Sequence, residues 1–163
     1  GTFRRLLVAP LPRPALLAGK ILPYYIVTLI QITIMFGVAH LLFGMAFGDL
    51  AALIGVSLAL AAAATGLGVL VATFGKTGTQ IDGLASLLTL TMSAIGGCMV
   101  PSFIMPQFLQ TLSRLTPHGW AMQGFQDVLV RGYGLTGVVP EIGALFGFGA
   151  LFFLIGVWRF RFE

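Results

Sequence analysis

Residues Leu50–Phe74 read LAALIGVSLALAAAATGLGVLVATF, without a single Asp, Glu, Lys or Arg. At 1.5 Å of rise per residue, a helix over this stretch is about 37 Å long. The hydrocarbon core of a bilayer is roughly 30 Å thick. The run is therefore long enough to cross a membrane, and it carries nothing that needs water.

The same pattern recurs on both sides of this stretch. No charged residue lies between Lys20 and Asp49, between Asp82 and Arg114, or between Glu141 and Arg159. Hydrophobic residues make up 58% of the 163 residues and charged residues only 9%, whereas a soluble domain carries about 25% charged. Too few polar side chains remain to cover a core in water, so lipid is the solvent. The expected fold class is an all-α integral membrane protein forming a single membrane domain over residues 1–163. Its four transmembrane helices are expected at about 21–43, 50–74, 81–100 and 138–158. Pro14 suits a first helical turn, so the first helix is expected to begin before Ile21, with Pro23 kinking it.

The chain begins with Gly1 and has no signal-peptide pattern, which reads as a fragment of a larger protein. A lone Cys98 excludes an intrachain disulfide framework. The net charge of +4 fits membrane topology better than nucleic acid. With the N-terminus in the cytoplasm, Arg4, Arg5, Arg13, Lys20, Lys76, Arg159 and Arg161 fall inside, and only Arg114 and Arg131 fall outside. Basic residues favour the cytoplasmic side, so both ends are expected there, in a plasma membrane of the bacterial inner-membrane kind.

Residues 101–137 do not read as a simple loop. Pro101 and Pro106 follow Gly96 and Gly97 and break the third helix. Gln107, Gln110, Thr111 and Arg114 share one helical face, and Phe108, Leu109, Leu112 and Leu115 the other. After the turn at Thr116–Gly119, the pattern returns: Gln123, Gln126, Asp127 and Arg131 are polar, and Met122, Phe125, Val128 and Leu129 are apolar. Two short amphipathic helices on the outer side, interfacial or re-entrant, account for this; ordinary loop helices without a role are the plainer alternative.

Chemical motifs are scarce. Gly75-Lys76-Thr77 imitates the end of a phosphate-binding loop, but Leu70 stands where the first glycine belongs, and a spanning helix precedes it. Lys76 reads as a topology anchor. His40 and His118 lie far apart in sequence, and no cluster has metal-ligand or nucleophile–base spacing. Thr79-Gln80-Ile81-Asp82 has capping-box spacing. Glu141, after Pro140, suits the first turn of the last helix, where it also offers a rim contact for substrate. Ala59, Ala63, Gly66 and Gly68, with Gly143 and Gly147, allow close helix packing, within one subunit or across a dimer seam. Carriers coupled to protons or sodium bury acids, bases or broken helices near the midplane. These spans have no acid or base at their centres, so driving energy is expected to arrive mechanically.

The stretch Gly1-Thr2-Phe3-Arg4-Arg5-Leu6-Leu7-Val8-Ala9-Pro10-Leu11-Pro12-Arg13, leading into Gly19-Lys20-Ile21, resembles the start of this portion in type 2 ATP-binding-cassette (ABC) exporter permeases. So does the series Gly96-Gly97…Pro101…Met105-Pro106…Leu115-Thr116-Pro117…Trp120 before the last helix. The resemblance spans nearly the whole chain and implies the last four of six helices. It implies that Phe3, Arg4, Arg5, Leu6, Leu7 and Pro10, within residues 1–13, form a cytoplasmic coupling helix resting on an ATPase subunit. Read from the residues alone, the same segment is equally a basic stretch touching anionic lipid. The resemblance further implies an outer gate of re-entrant helices at Gly96, Gly97, Pro101, Met105, Pro106, Pro117 and Trp120.

The expected function is the permease subunit of an exporter moving a lipophilic or amphipathic substrate outward. It is not an enzyme and binds no cofactor itself; ATP and Mg belong to a separate nucleotide-binding subunit. The other partners are a second permease copy or paralogue and the lipid bilayer, with no nucleic acid. A non-transporting membrane scaffold or anchor is the alternative from a different class.

Overall fold

A computed structural model describes residues 13–160. The described residues are all-helical, with no strand. We number the helices α1 (Arg13–Phe43), α2 (Leu50–Ala72), α3 (Gly78–Ile95), α4 (Gln107–Ser113), α5 (Pro117–Leu129) and α6 (Val139–Phe160). Single 3₁₀ turns precede α4 (Ser102–Ile104) and α6 (Leu135–Val138). Pro14 lies in the first turn of α1 and Pro23 in its interior.

Local chemistry sets the ends. At the α1–α2 turn, Gly44 takes a left-handed φ of 64° and its N–H donates to the His40 carbonyl. Asp49 then caps α2, its carboxylate accepting from the Ala52 N–H at 2.9 Å. The cap of α3 is not the expected one. Thr77 accepts from the Gln80 N–H, and the Gln80 side chain reaches back to the Lys76 N–H at 3.0 Å. The reciprocal pair therefore sits two residues earlier than Thr79–Asp82, and Asp82 is an exposed residue within the helix. The third helix stops at Ile95, short of Val100, because Gly97 adopts a φ of 83° that closes the last turn. The Cys98 N–H bonds back to the Ser93 carbonyl at 3.0 Å.

Helices α2 and α6 form the core, and they run parallel. Gly55 meets Ile142, Gly66 meets Gly149, and Gly156 meets Leu70. Beyond them, the Arg159 Nε donates to the Thr73 carbonyl at 3.4 Å, with its guanidinium over the Phe74 ring. Contact positions advance together along both chains. A Cβ built on Gly66 would lie 2.5 Å from the Gly149 carbonyl oxygen, so the two backbones touch. Of the small residues singled out in sequence, Ala59, Ala63 and Gly66 are buried in this intrachain seam, whereas Gly68, Gly143 and Gly147 face open space. Val56, Ala59, Ala63 and Leu145 fill its centre, with Ala121 and Val128 of α5 alongside.

Parallel packing fixes the path of the chain. α2 ends beside Thr73, and α6 must begin at the other end of the bundle, so Phe74–Val138 returns the chain along its length. α3 accounts for about 27 Å of that return. Among the described residues, three helical segments are long and apolar enough to cross a membrane: Gly19–Phe43, Leu50–Ala72 and Leu135–Arg159, each of mean hydropathy 2.1. α3 is not among them, because its 18 residues include the polar Gln80, Asp82, Ser86, Thr89, Thr91 and Ser93. α1 lies against α2 through the Tyr25 hydroxyl, which donates to the Leu58 carbonyl at 3.1 Å, and its apolar window buries no residue within the chain.

Gly66→Leu should disrupt the bundle, because the added side chain must displace the Gly149 backbone. Overpacking of this kind costs about 1–3 kcal/mol. Thermal unfolding of the detergent-solubilised protein should show a lower midpoint for Gly66→Leu, and an unchanged or slightly higher one for Gly147→Ala, which points into open space within a helix.

Candidate functional site

The Gly-Gly-Pro-rich stretch folds into an assembly of α4 and α5 packed on the spanning helices. Gly96 is its first close contact. A Cβ there would lie 2.6 Å from the His118 Cβ and 2.8 Å from the Gly119 N, so the end of α3 abuts the start of α5. Thr116 caps α5 by accepting from the Gly119 N–H at 3.1 Å, and Pro117 occupies the first turn. Trp120 ties the turn together, its Nε1–H donating to the Arg114 carbonyl at 2.7 Å. Met105 is buried, and its carbonyl accepts from the Gln110 side chain at 2.8 Å. Pro106 precedes the first residue of α4, while Pro101 lies exposed ahead of the 3₁₀ turn.

The structure thus brings Gly96, Pro117 and Trp120 together. Gly97 serves the reversal, and Met105 and Pro106 set the entry to α4. Phe108 and Leu115 face outward, 72% and 70% exposed, as an apolar face turned to lipid requires. α5 departs from the simple amphipathic reading. Its buried stripe is Pro117, Ala121, Gly124, Asp127 and Val128, so one of the polar residues points inward. The Asp127 carboxylate accepts from Arg131, one turn on, and the Tyr133 N–H donates to the Asp127 carbonyl at 2.8 Å.

Glu141 is also inside, 4% exposed. Its Oε1 accepts from the Gln123 Nε2 at 3.0 Å, a hydrogen bond that pins α5 to the first turn of α6. Gly124 makes this possible: a Cβ there would meet Val56 at 3.2 Å and the Glu141 Cβ at 3.3 Å. Glu141 therefore joins helices and does not line an open rim. Sequence reading did not pair Gln123 with Glu141; the small residues Ala121 and Gly124 beside Gln123 were the available sign that this face is covered. Glu141 Oε2 and His118 Nδ1 are buried without a hydrogen-bond partner among the described residues.

Other singled-out residues have local roles. The His40 Nδ1 donates to the Met45 carbonyl at 2.8 Å and its ring stacks on Phe47. Lys76 lends its N–H to Gln80, which leaves the Gly75-Lys76-Thr77 turn a helix link. The segment Phe3–Pro10 lies outside the described residues.

A cavity of about 440 Å³ lies between α2, α3 and α5, lined among others by Leu60, Leu67, Ile81, Thr89, His118 and Phe125. Its size is that of a small-molecule site, and its walls are overwhelmingly apolar.

Several long apolar helices, packed through backbone contacts and turning large apolar side chains outward, define a multi-pass α-helical membrane protein. Residues 1–158 match the family described as ABC-2 family transporter protein. The chain belongs to that family. It is 29% identical to the linearmycin resistance permease protein LnrN of Bacillus subtilis, over 99% of this chain and 42% of that protein. It is 31% identical to the inner membrane transport permease YhhJ of Escherichia coli, over 67% of this chain and 29% of that protein. The chain thus spans less than half the length of these relatives. No solved structure matches it.

Gln123→Leu should leave the buried Glu141 carboxylate without its donor, at a cost of about 1–3 kcal/mol. A lowered unfolding midpoint for Gln123→Leu, largely restored in the Gln123→Leu/Glu141→Leu double variant, is the expected result of a mutant cycle.

Proposed function

We propose that the full-length protein is the permease subunit of an exporter, moving a lipophilic or amphipathic substrate outward with energy from ATP hydrolysed on a separate subunit. The observation that carries this reading is the family match from residue 1 to residue 158. It takes in the basic Phe3–Pro10 stretch, which leads straight into α1, a single helix reaching the far end of the bundle. LnrN is described as a resistance permease, and removal of a toxic compound is what outward transport accomplishes. The apolar cavity between α2, α3 and α5 supports a lipophilic cargo.

In this arrangement α3 also crosses the membrane, covered by neighbouring protein where its polar residues would otherwise meet lipid. Lys20, Lys76 and Arg159 gather at one end of the bundle, and the positive-inside rule makes that end cytoplasmic. α4 and α5 form a re-entrant layer on the outer side. Val128 of α5 lies against Gly48 beside the start of α2, and His118, at its other end, shares the cavity with Leu60 and Leu67. ATP-driven closure of the partner subunits pushes on Phe3–Pro10, tilts α1, and loosens the α5 contacts with α2 and α6, opening a path outward. A second permease copy or a paralogue completes the translocation pathway. The protein resides in the plasma membrane with both described ends inside.

Replacing Arg4 and Arg5 with Glu in the full-length protein tests this mechanism. Co-purification of the ATPase subunit and ATP-dependent export should both fall steeply, with membrane insertion unchanged. Normal association and export in that variant would remove Phe3–Pro10 from the coupling role.

A further inference from the structure

A cleft of about 730 Å³ lies between the first part of α1 and the last part of α2, with Tyr24, Thr28 and Gln31 on one wall and Ala64, Gly68 and Ala72 on the other. Gln31 decides what can occupy it. This residue stands at the centre of the Gly19–Phe43 span, is exposed, and finds no hydrogen-bond partner among the described residues. The hydroxyls of Thr28 and Thr65 satisfy themselves on the Tyr24 and Ala61 carbonyls. The Gln31 carboxamide, with two N–H donors and an acceptor, does not. Half the hydrocarbon thickness is about 15 Å, so the ester and headgroup oxygens of lipid lie beyond its reach. An unpaired amide in hydrocarbon is costly, and a passing cargo would leave it unpaired between passages. A lasting partner at this depth has to be polypeptide.

The opposite wall is shaped for a helix. Ala64, Gly68 and Ala72 stand four residues apart and so share one face, about 12 Å long. Small residues at this spacing let helix backbones approach closely. α6 uses Gly66 in that way, whereas nothing lies within 4 Å of the place where a Gly68 Cβ would stand. No described helix fills the space, and α1 buries none of its apolar window. The chain spans less than half the length of the relatives it matches, so the full-length polypeptide has further segments to supply.

We propose that a further spanning helix, from the part of the full-length polypeptide outside residues 1–163, seats in this cleft. Its backbone approaches α2 along Ala64, Gly68 and Ala72. A polar side chain near its midpoint exchanges hydrogen bonds with the Gln31 carboxamide, as polar residues do between spanning helices. The contact belongs to the resting protein and does not depend on the direction of transport or on the cargo.

Two measurements on the full-length protein test this. Were Gln31 to face lipid, Gln31→Leu would remove a badly placed polar group, and the thermal midpoint in detergent would stay unchanged or rise. The proposal requires the opposite sign, a fall of about 2–4 °C for the lost interhelical bond. The occupant is identified by Val27→benzoylphenylalanine, a photo-cross-linker placed in the cleft lining. After irradiation, proteolysis and mass spectrometry should find it joined to a peptide from outside residues 1–163, in a product that migrates as a monomer. A midpoint that is unchanged or raised in Gln31→Leu would overturn the proposal. So would a cross-linked product of doubled mass, which would give the cleft to a second copy, or attachment to lipid alone. Labelling of Gln31→Cys by a water-soluble maleimide, in membranes of protein carrying Cys98→Ser, would overturn it as well, since water would then fill the space.

Discussion

Contact between the backbones of α2 and α6 governs this architecture. In lipid, apolar side chains gain little by leaving one hydrocarbon environment for another, so helix association relies on close packing and polar contacts. Gly66 and Gly149 supply the packing, with Ala59, Ala63 and Leu145 filling the seam on either side. Because the two helices are parallel, the chain between them must travel back along the bundle. Lys20 and Arg159 consequently lie at the same end, beside Ala72 and Thr73 respectively.

The return path is built differently from the core. α3 is short and comparatively polar, and it stops where Gly97 reverses the chain. α5 then lies along the first half of α2, with Gly124 letting it approach both Val56 and Glu141. The buried polar groups concentrate here. Gln123 is bonded to Glu141, and Asp127 to Arg131. The Gln123–Glu141 bond gives α5 a defined seat on α6, one that a tilt of the spans would disturb. An apolar stripe alone would tolerate sliding.

Much of this was legible in the sequence because lipid imposes a coarse rule: long stretches without charge become helices. The runs around Leu50–Phe74 and Glu141–Arg159 needed nothing more. The end of α1 at Phe43 and the reversal at Gly96-Gly97 were marked by residue chemistry. Less was legible wherever partners come from distant segments. Nothing in the periodicity of α2 tells that Gly66 faces Gly149 while Gly68 faces open space. Glu141 did not read as a buried residue because its partner Gln123 comes from another helix, and the α3 cap lies at Thr77, which accepts from the Gln80 N–H, two residues ahead of Thr79. The resemblance to ABC exporter permeases came from two separated motifs, of which the second now has a structural reason: Gly96 exists to let His118 and Gly119 approach.

The most direct test of the account is thiol accessibility in intact cells expressing the full-length protein with Cys98→Ser. The account places the Lys76 turn inside and the Gly132 turn outside. A membrane-impermeant maleimide should label Gly132→Cys in intact cells and Thr77→Cys only after permeabilisation. Labelling of Thr77→Cys from outside, with Gly132→Cys protected until the membrane is opened, would contradict it.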